Sequence, residues 1–276
     1  SYQYDAGNQL TKVTDTTGTK TYSYDEFHNR IRKTEQDVTI EYTYSALNQL
    51  LYEKQGTIET SYMYDKRGNV TEVNENGIRK ARYEFNSSNL LSKADNGAIK
   101  SEYQYDGFGN RVHSMVKENG LIIEEHDYVV DPVSTYNNII MSFNHQTQEE
   151  TVFTYGIGLN SVTTSTDTLY YQLDEKGSVT GFYDSQGELI VQVRYDEFGQ
   201  IDTPDIVNQN GNLFSYTGHV YENNLELYYA KARYYNPVIG RFISEDSYRG
   251  RLREHTSLNL YTYAENNPVK YIDPSG

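Results

Sequence analysis

Aromatic-x-aromatic pairs recur along the first half of the chain at Tyr2-Tyr4, Tyr22-Tyr24, Tyr42-Tyr44, Tyr62-Tyr64, Tyr83-Phe85 and Tyr103-Tyr105, at spacings of 20, 20, 20, 21 and 20 residues. Six copies at one period mark a repeat architecture. In the run before each pair the side chains alternate with the period of two that a half-buried strand needs: Ile58, Thr60, Tyr62 and Tyr64 fall on one face, as do Ile99, Ser101, Tyr103 and Tyr105.

Each pair is followed by Asp5, Asp25, Ser45, Asp65, Asn86 or Asp106, types whose side chains accept hydrogen bonds from nearby backbone N–H groups and start a turn. Three positions later stand Asn8, His28, Asn48, Gly68, Asn89 and Gly109. These residue types tolerate positive φ, which predicts a left-handed residue that reverses the chain. Midway between these turns lies a second set, Gly18, Gly56, Asn76-Gly77, Asn96-Gly97 and Asn119-Gly120, in which Asn-Gly is a strong signal for a two-residue hairpin loop. Each repeat is thus read as two strands. Stacked hairpins of this kind form an antiparallel sheet whose right-handed twist makes a long ribbon coil.

The regular period ends near Asn119, and a less repetitive, Thr-rich section follows from Asp131-Pro132 to Thr168. The turn chemistry then returns at shorter intervals, with Asp174 before Gly177, Asp184 before Gly187 and Asp196 before Gly199. The expected organisation is repeats over 1–125, an irregular β region continuing the sheet over 126–213, and a core segment over 214–276. The expected fold class is all-β, antiparallel hairpin repeats in a spiralling sheet with a C-terminal plug region.

Composition narrows the function. The 29 Tyr against 9 Phe and no Trp suit broad, half-wet sheet surfaces, and a mean hydropathy of -0.78 means that burial is shallow or shared between repeating units. A net charge of -15 with no clustered Lys or Arg argues against a nucleic-acid surface. No apolar run approaches the roughly 20 residues of a membrane span, and no signal peptide opens the chain, which reads as starting inside a repeat. Without cysteine there are no disulfides or thiolate metal sites.

Several features admit a chemical and a structural reading. The repeat aspartates would suit calcium, but one carboxylate per 20 residues is too few for any one site, so they are read as turn residues. Wet tyrosines can stack on sugars, which leaves a cell-surface carbohydrate-binding or adhesion module as an alternative; their regular placement favours cross-strand packing. The six histidines show no metal-binding spacing, and Tyr155–Asn160 begins like a nucleotide loop but lacks the third glycine. No metal or cofactor is expected. Asp246 and Asp273, 27 residues apart, permit the pair of carboxyl groups that aspartic-type hydrolysis requires, one ionised to activate water and one protonated to donate to the carbonyl. Spacing alone equally allows two ordinary turns.

The C-terminal segment carries a resemblance. Y-T-G-H from Tyr216, K-A-R-Y-Y-N-P from Lys231, G-R-F-I-S-E-D from Gly240, N-L-Y-T-Y-A-E-N-N-P from Asn259 and D-P-S-G from Asp273 occur in the order found in the core domain of Rhs/YD-repeat proteins. The Tyr170–Val179 stretch is similar to another element of that family. The style resembles the wall-associated, contact-dependent toxins of Gram-positive bacteria, with the C subunits of insecticidal toxin complexes as alternative relatives. The resemblance implies the shell fragment of a polymorphic toxin, secreted or attached to the cell surface or cell wall. Its partners would be further N-terminal repeats and a C-terminal toxin domain of the same polypeptide, held inside and released by a single-turnover, aspartic-type cut after the D-P-x-G. The catalytic residues it implies are Asp246, Asp273 and Arg241. Asn236 stands where many members have Asp, and Glu226 where Gly is common.

Overall fold

The computed structural model describes residues 1–202, 211–251 and 255–276. The chain is all-β and antiparallel, and its helices among the described residues are short 3-10 turns at Tyr216–Gly218, His255–Leu258 and Ala264–Asn266. None is long and apolar enough to cross a membrane. Two compact units emerge, one made of 1–83 with 239–273 and the other of 84–238 with 274–276.

In the first unit, β1 (Tyr2–Tyr4), β2 (Leu10–Thr14), β3 (Thr19–Tyr24), β4 (Arg30–Glu35), β5 (Val38–Tyr44), β6 (Leu50–Gln55), β7 (Ile58–Tyr64) and β8 (Val70–Glu75) each pair with the next, and β8 pairs with β9 (Ile78–Phe85). The short strand that reappears at Arg241–Phe242 bridges Thr262. In the second unit the same meander runs from β10 (Leu91–Asp95), β11 (Ile99–Tyr105), β12 (Arg111–Glu118) and β13 (Leu121–Asp131) through β14 (Asn138–Asn144), β15 (Glu149–Tyr155), β16 (Leu159–Thr163), β17 (Thr168–Leu173), β18 (Val179–Tyr183) and β19 (Leu189–Gln192). A smaller meander follows, β20 (Val220–Glu222), β21 (Leu227–Ala230) and β22 (Arg233–Asn236).

The repeat works through one local device. A register shift falls just before the second aromatic of the pair, at Gln3/Tyr4, Ser23/Tyr24, Thr43/Tyr44, Met63/Tyr64 and Gln104/Tyr105. Such a bulge bends the strand and tightens its twist. The next residue then caps the turn: Asp25 Oδ1 accepts from the N–H groups of Phe27 (2.9 Å) and Asn29 (2.8 Å), Asp106 Oδ1 from Phe108 (2.8 Å) and Asn110 (2.9 Å), and Asn86 and Ser45 do the same in their copies. Burial alone would raise the Asp65 and Asp106 carboxyls, but the hydrogen bonds they receive outweigh it and hold both below the usual carboxylate value. The six reversing residues, Asn8 through Gly109, all have φ between 60° and 85°, as the residue types predict.

Two mid-repeat loops depart from expectation. At Asn96-Gly97 the Asn96 N–H bonds the Ile99 carbonyl, so the loop residues are Gly97 and Ala98, one position later than the Asn-Gly pair suggests. Gln36-Asp37, with φ of 47° and 68°, closes a two-residue loop that lacks the glycine used elsewhere.

The aromatic pairs divide their labour. The first member is buried in Tyr22, Tyr42, Tyr62, Tyr83 and Tyr103, whereas Tyr2, in the first strand, is exposed. The second turns its hydroxyl to a carbonyl in the preceding repeat: Tyr24 to Leu10 (2.8 Å), Tyr44 to Arg30 (2.7 Å), Tyr64 to Leu50 (3.1 Å), Tyr105 to Leu91 (2.7 Å). Residues two after the left-handed position, Leu10, Arg30, Leu50, Val70, Leu91 and Arg111, are all buried. In that apolar slot two copies carry arginine.

Candidate functional site

The C-terminal motifs of the first unit read the repeat turns one by one. Asn267 Nδ2 donates to the carbonyl of Asn8 (2.7 Å), Asn266 Nδ2 to that of His28 (2.8 Å), Arg241 Nη2 to that of Asn48, and Tyr261 Oη to that of Gly68 (2.9 Å). These four acceptors are the left-handed residues of four successive repeats. A carbonyl at such a reversal points away from the strand ladder, so it needs a partner from elsewhere. Asn259 adds bonds to the Phe27 carbonyl (3.0 Å) and Asn29 Oδ1 (2.7 Å).

Arg241 is the only charged member of this row. It is 3% exposed, gives a second bond to Asn29 Oδ1 (3.1 Å), and its guanidinium lies over the rings of Tyr44 (4.8 Å) and Tyr261 (5.3 Å). Its hydrogen bonds thus go to the repeats. Asp246 follows the short strand Arg241–Phe242 and is half-buried; its N–H donates to the Leu260 carbonyl (3.0 Å) and its Oδ1 accepts from the Tyr248 N–H (2.7 Å). Asp273 is half-buried after the exposed Tyr271 and Ile272. All three residues named from the sequence belong to the first unit.

Pro274–Gly276 count with the second unit, where the Ser275 carbonyl accepts from the Ala232 N–H (3.0 Å). Gly276 has φ of 83°, and a Cβ there would collide with the Ala230 carbonyl. Only glycine fits that slot, which is a physical reason for the glycine of the D-P-x-G. Glu226 meanwhile holds φ of 55°, the left-handed conformation that explains why glycine is common there.

A buried charged cluster in the second unit was not foreseen. Arg111, 1% exposed, is ion-paired to Glu222 and bonded to Tyr234 Oη (3.2 Å), while its guanidinium lies over the rings of Tyr229 (4.2 Å), Tyr128 (5.1 Å) and Tyr103 (5.2 Å). The Tyr103 hydroxyl donates to the other Glu222 oxygen (3.0 Å). Burial alone would lower the Arg111 pKa; the Glu222 carboxylate outweighs it and keeps the guanidinium charged. Burial also pushes the Tyr103 and Tyr234 hydroxyls well up, with the Glu222 charge reinforcing the shift at Tyr103 and the neighbouring Tyr105 at Tyr234. The signal available in the sequence was the arginine itself, standing, like Arg30, where the other four repeats have Leu or Val.

The bulge, the acidic turn and the buried first tyrosine, repeated at 20 residues and closed by a segment that docks on the turns, define a YD shell wall. The chain belongs to the Teneurin YD-shell family, whose model matches residues 1–269. It is 29% identical over 273 residues to the tRNA3(Ser)-specific nuclease WapA of Bacillus spizizenii and, over the same length, to the tRNA nuclease WapA of Bacillus subtilis (strain 168). Each match takes in 98% of this chain but 11% of the relative. Among solved structures, TcdB2-TccC3 is similar over 100% of this chain and 18% of that one, with a TM-score of 0.54 and 18% identity, a likeness of fold.

Proposed function

We propose that the chain is a wall segment of a polymorphic-toxin shell that confines a C-terminal cargo domain of the same polypeptide and frees it by an intramolecular cut just past the D-P-S-G of Asp273 to Gly276. The observation that carries the reading is the row of donors from Asn267, Asn266, Arg241 and Tyr261 onto four consecutive repeat turns. It fixes the segment bearing Asp246 and Asp273 to the wall at several points, the preorganisation that a cut without a separate protease needs. The Bacillus relatives named as nucleases support a toxic cargo, and with it a secreted or cell-surface location. In the proposed chemistry, one of the two carboxylates activates water and the other, protonated, donates to the scissile carbonyl. Arg241 acts by position, holding the strand that leads to Asp246. The adhesion reading loses its main support, because the first tyrosine of the pairs is buried in five of the six repeats.

The test is a polypeptide that continues past Gly276, followed by intact-mass spectrometry. Two fragments are expected, with the new N-terminus one residue past the D-P-S-G, after the hydrophobic residue that the family carries directly behind that glycine, and Asp246→Asn or Asp273→Asn should each leave one uncut chain with an unchanged circular-dichroism spectrum. Efficient cutting by either variant would remove the catalytic assignment. Confinement is read separately: in the uncut variant the cargo should resist a protease that digests the isolated cargo, and equal digestion would remove the shell reading.

A further inference from the structure

The second unit holds a cavity of about 250 Å³ that the proposed cut does not use, walled by Val130, Ile139, Tyr155, Leu173 and Phe214, with Pro274 at one side. Its electrostatics are one-sided. Arg111 and Lys231 line it and, among the described residues, no Asp or Glu does, in a chain whose net charge is -15. Arg111 is already neutralised by Glu222.

Lys231 is not. Among the described residues it makes no ion pair or hydrogen bond, and its amine lies 5.1 Å from the ring centre of Tyr136, which also lines the cavity. Burial pushes that amine down to about 8, because nothing beside it compensates the lost hydration. The backbone supports a placed role: Lys231 and Ala232 form the two-residue loop between β21 and β22, and Lys231 adopts φ of 67°, which disfavours a side chain of its size. An unpaired cation at an apolar wall is a half-made site.

We propose that this cavity binds a small molecule with an apolar chain ending in a carboxylate, the chain against Ile139, Leu173 and Phe214 and the carboxylate on Lys231 Nζ. The size sets the class, since a cavity of about 150 Å³ takes benzene, so this one takes a ligand of about ten non-hydrogen atoms. Octanoate has that size. 1-Octanol has the same chain without the charge.

Calorimetric titration of the chain with each compound decides the matter. Octanoate should bind more tightly than 1-octanol. Lys231→Met should weaken octanoate about tenfold or more while leaving 1-octanol unchanged, the loss expected of one charge-assisted contact. Lys231→Arg should retain octanoate, and Leu173→Trp, which fills the cavity, should abolish both. No octanoate binding to the unaltered chain would overturn the site, as would equal losses of acid and alcohol in Lys231→Met, which would point to collapse of the loop. None of these readouts depends on Asp246, Asp273 or cutting.

Discussion

The two units bury arginines in different ways. In the first, Arg241 is satisfied by neutral groups, the Asn29 amide oxygen and the Asn48 carbonyl, between two tyrosine rings. In the second, Arg111 is neutralised by Glu222 inside a shell of four tyrosines. The first arrangement tolerates the loss of individual members, because each donor serves its own carbonyl. The second is a single network, and a missing partner leaves a bare charge in a dry interior. Polar docking spread over a period therefore gives a graded interface; a buried ion pair gives an all-or-none one.

The largest effect that would sharpen this contrast is Glu222→Ala, expected to destabilise the chain by about 3–5 kcal/mol in denaturant unfolding, whereas Arg111→Leu with Glu222→Leu should recover most of that loss. A double variant as damaged as the single would mean that the tyrosine cage, not the charge, sets stability.

Arg241→Ala should cost about 2–4 kcal/mol, from two charge-assisted bonds and its ring contacts, with Asn266→Ala and Asn267→Ala each near 1 kcal/mol and additive. Strong coupling among these three would break the picture of independent donors.

Gly68 and Gly109 occupy the same repeat position with φ of 80° and 85°, yet a Cβ at Gly68 would run into the Glu245 side chain while at Gly109 the nearest neighbour is Leu90 at 3.7 Å. Gly109→Ala should therefore cost about 1 kcal/mol from the backbone alone, Gly109→Val at least that, and Gly68→Ala about 2 kcal/mol. Thermal melts showing equal losses at the two glycines would mean that Glu245 moves aside freely.

The smallest effect is a gain. Glu226→Gly removes a left-handed glutamate and should raise stability by about 0.5 kcal/mol.

What the sequence determined by itself is whatever repeats within a few bonds of its own cause. The 20-residue period, the capping Asp and the left-handed Asn, His or Gly were all legible, because cap and reversal are local, whereas the bulge that buries the first tyrosine of a pair and turns the second to a carbonyl carries no such signal. Even there the reading slipped where local signals were ambiguous: Gln36-Asp37 turns without glycine, and the Asn96-Gly97 loop sits one residue on, since glycine serves either central position of a tight turn. The family motifs pointed to Arg241, Asp246 and Asp273. Only the tertiary structure showed that Arg241 docks on turns 193 and 212 residues away, and that Arg111 meets Glu222 across 111 residues. No local rule pairs such residues, because the chain's entropy separates them until the hairpins are built, and the low dielectric of the finished interior then makes those contacts decisive.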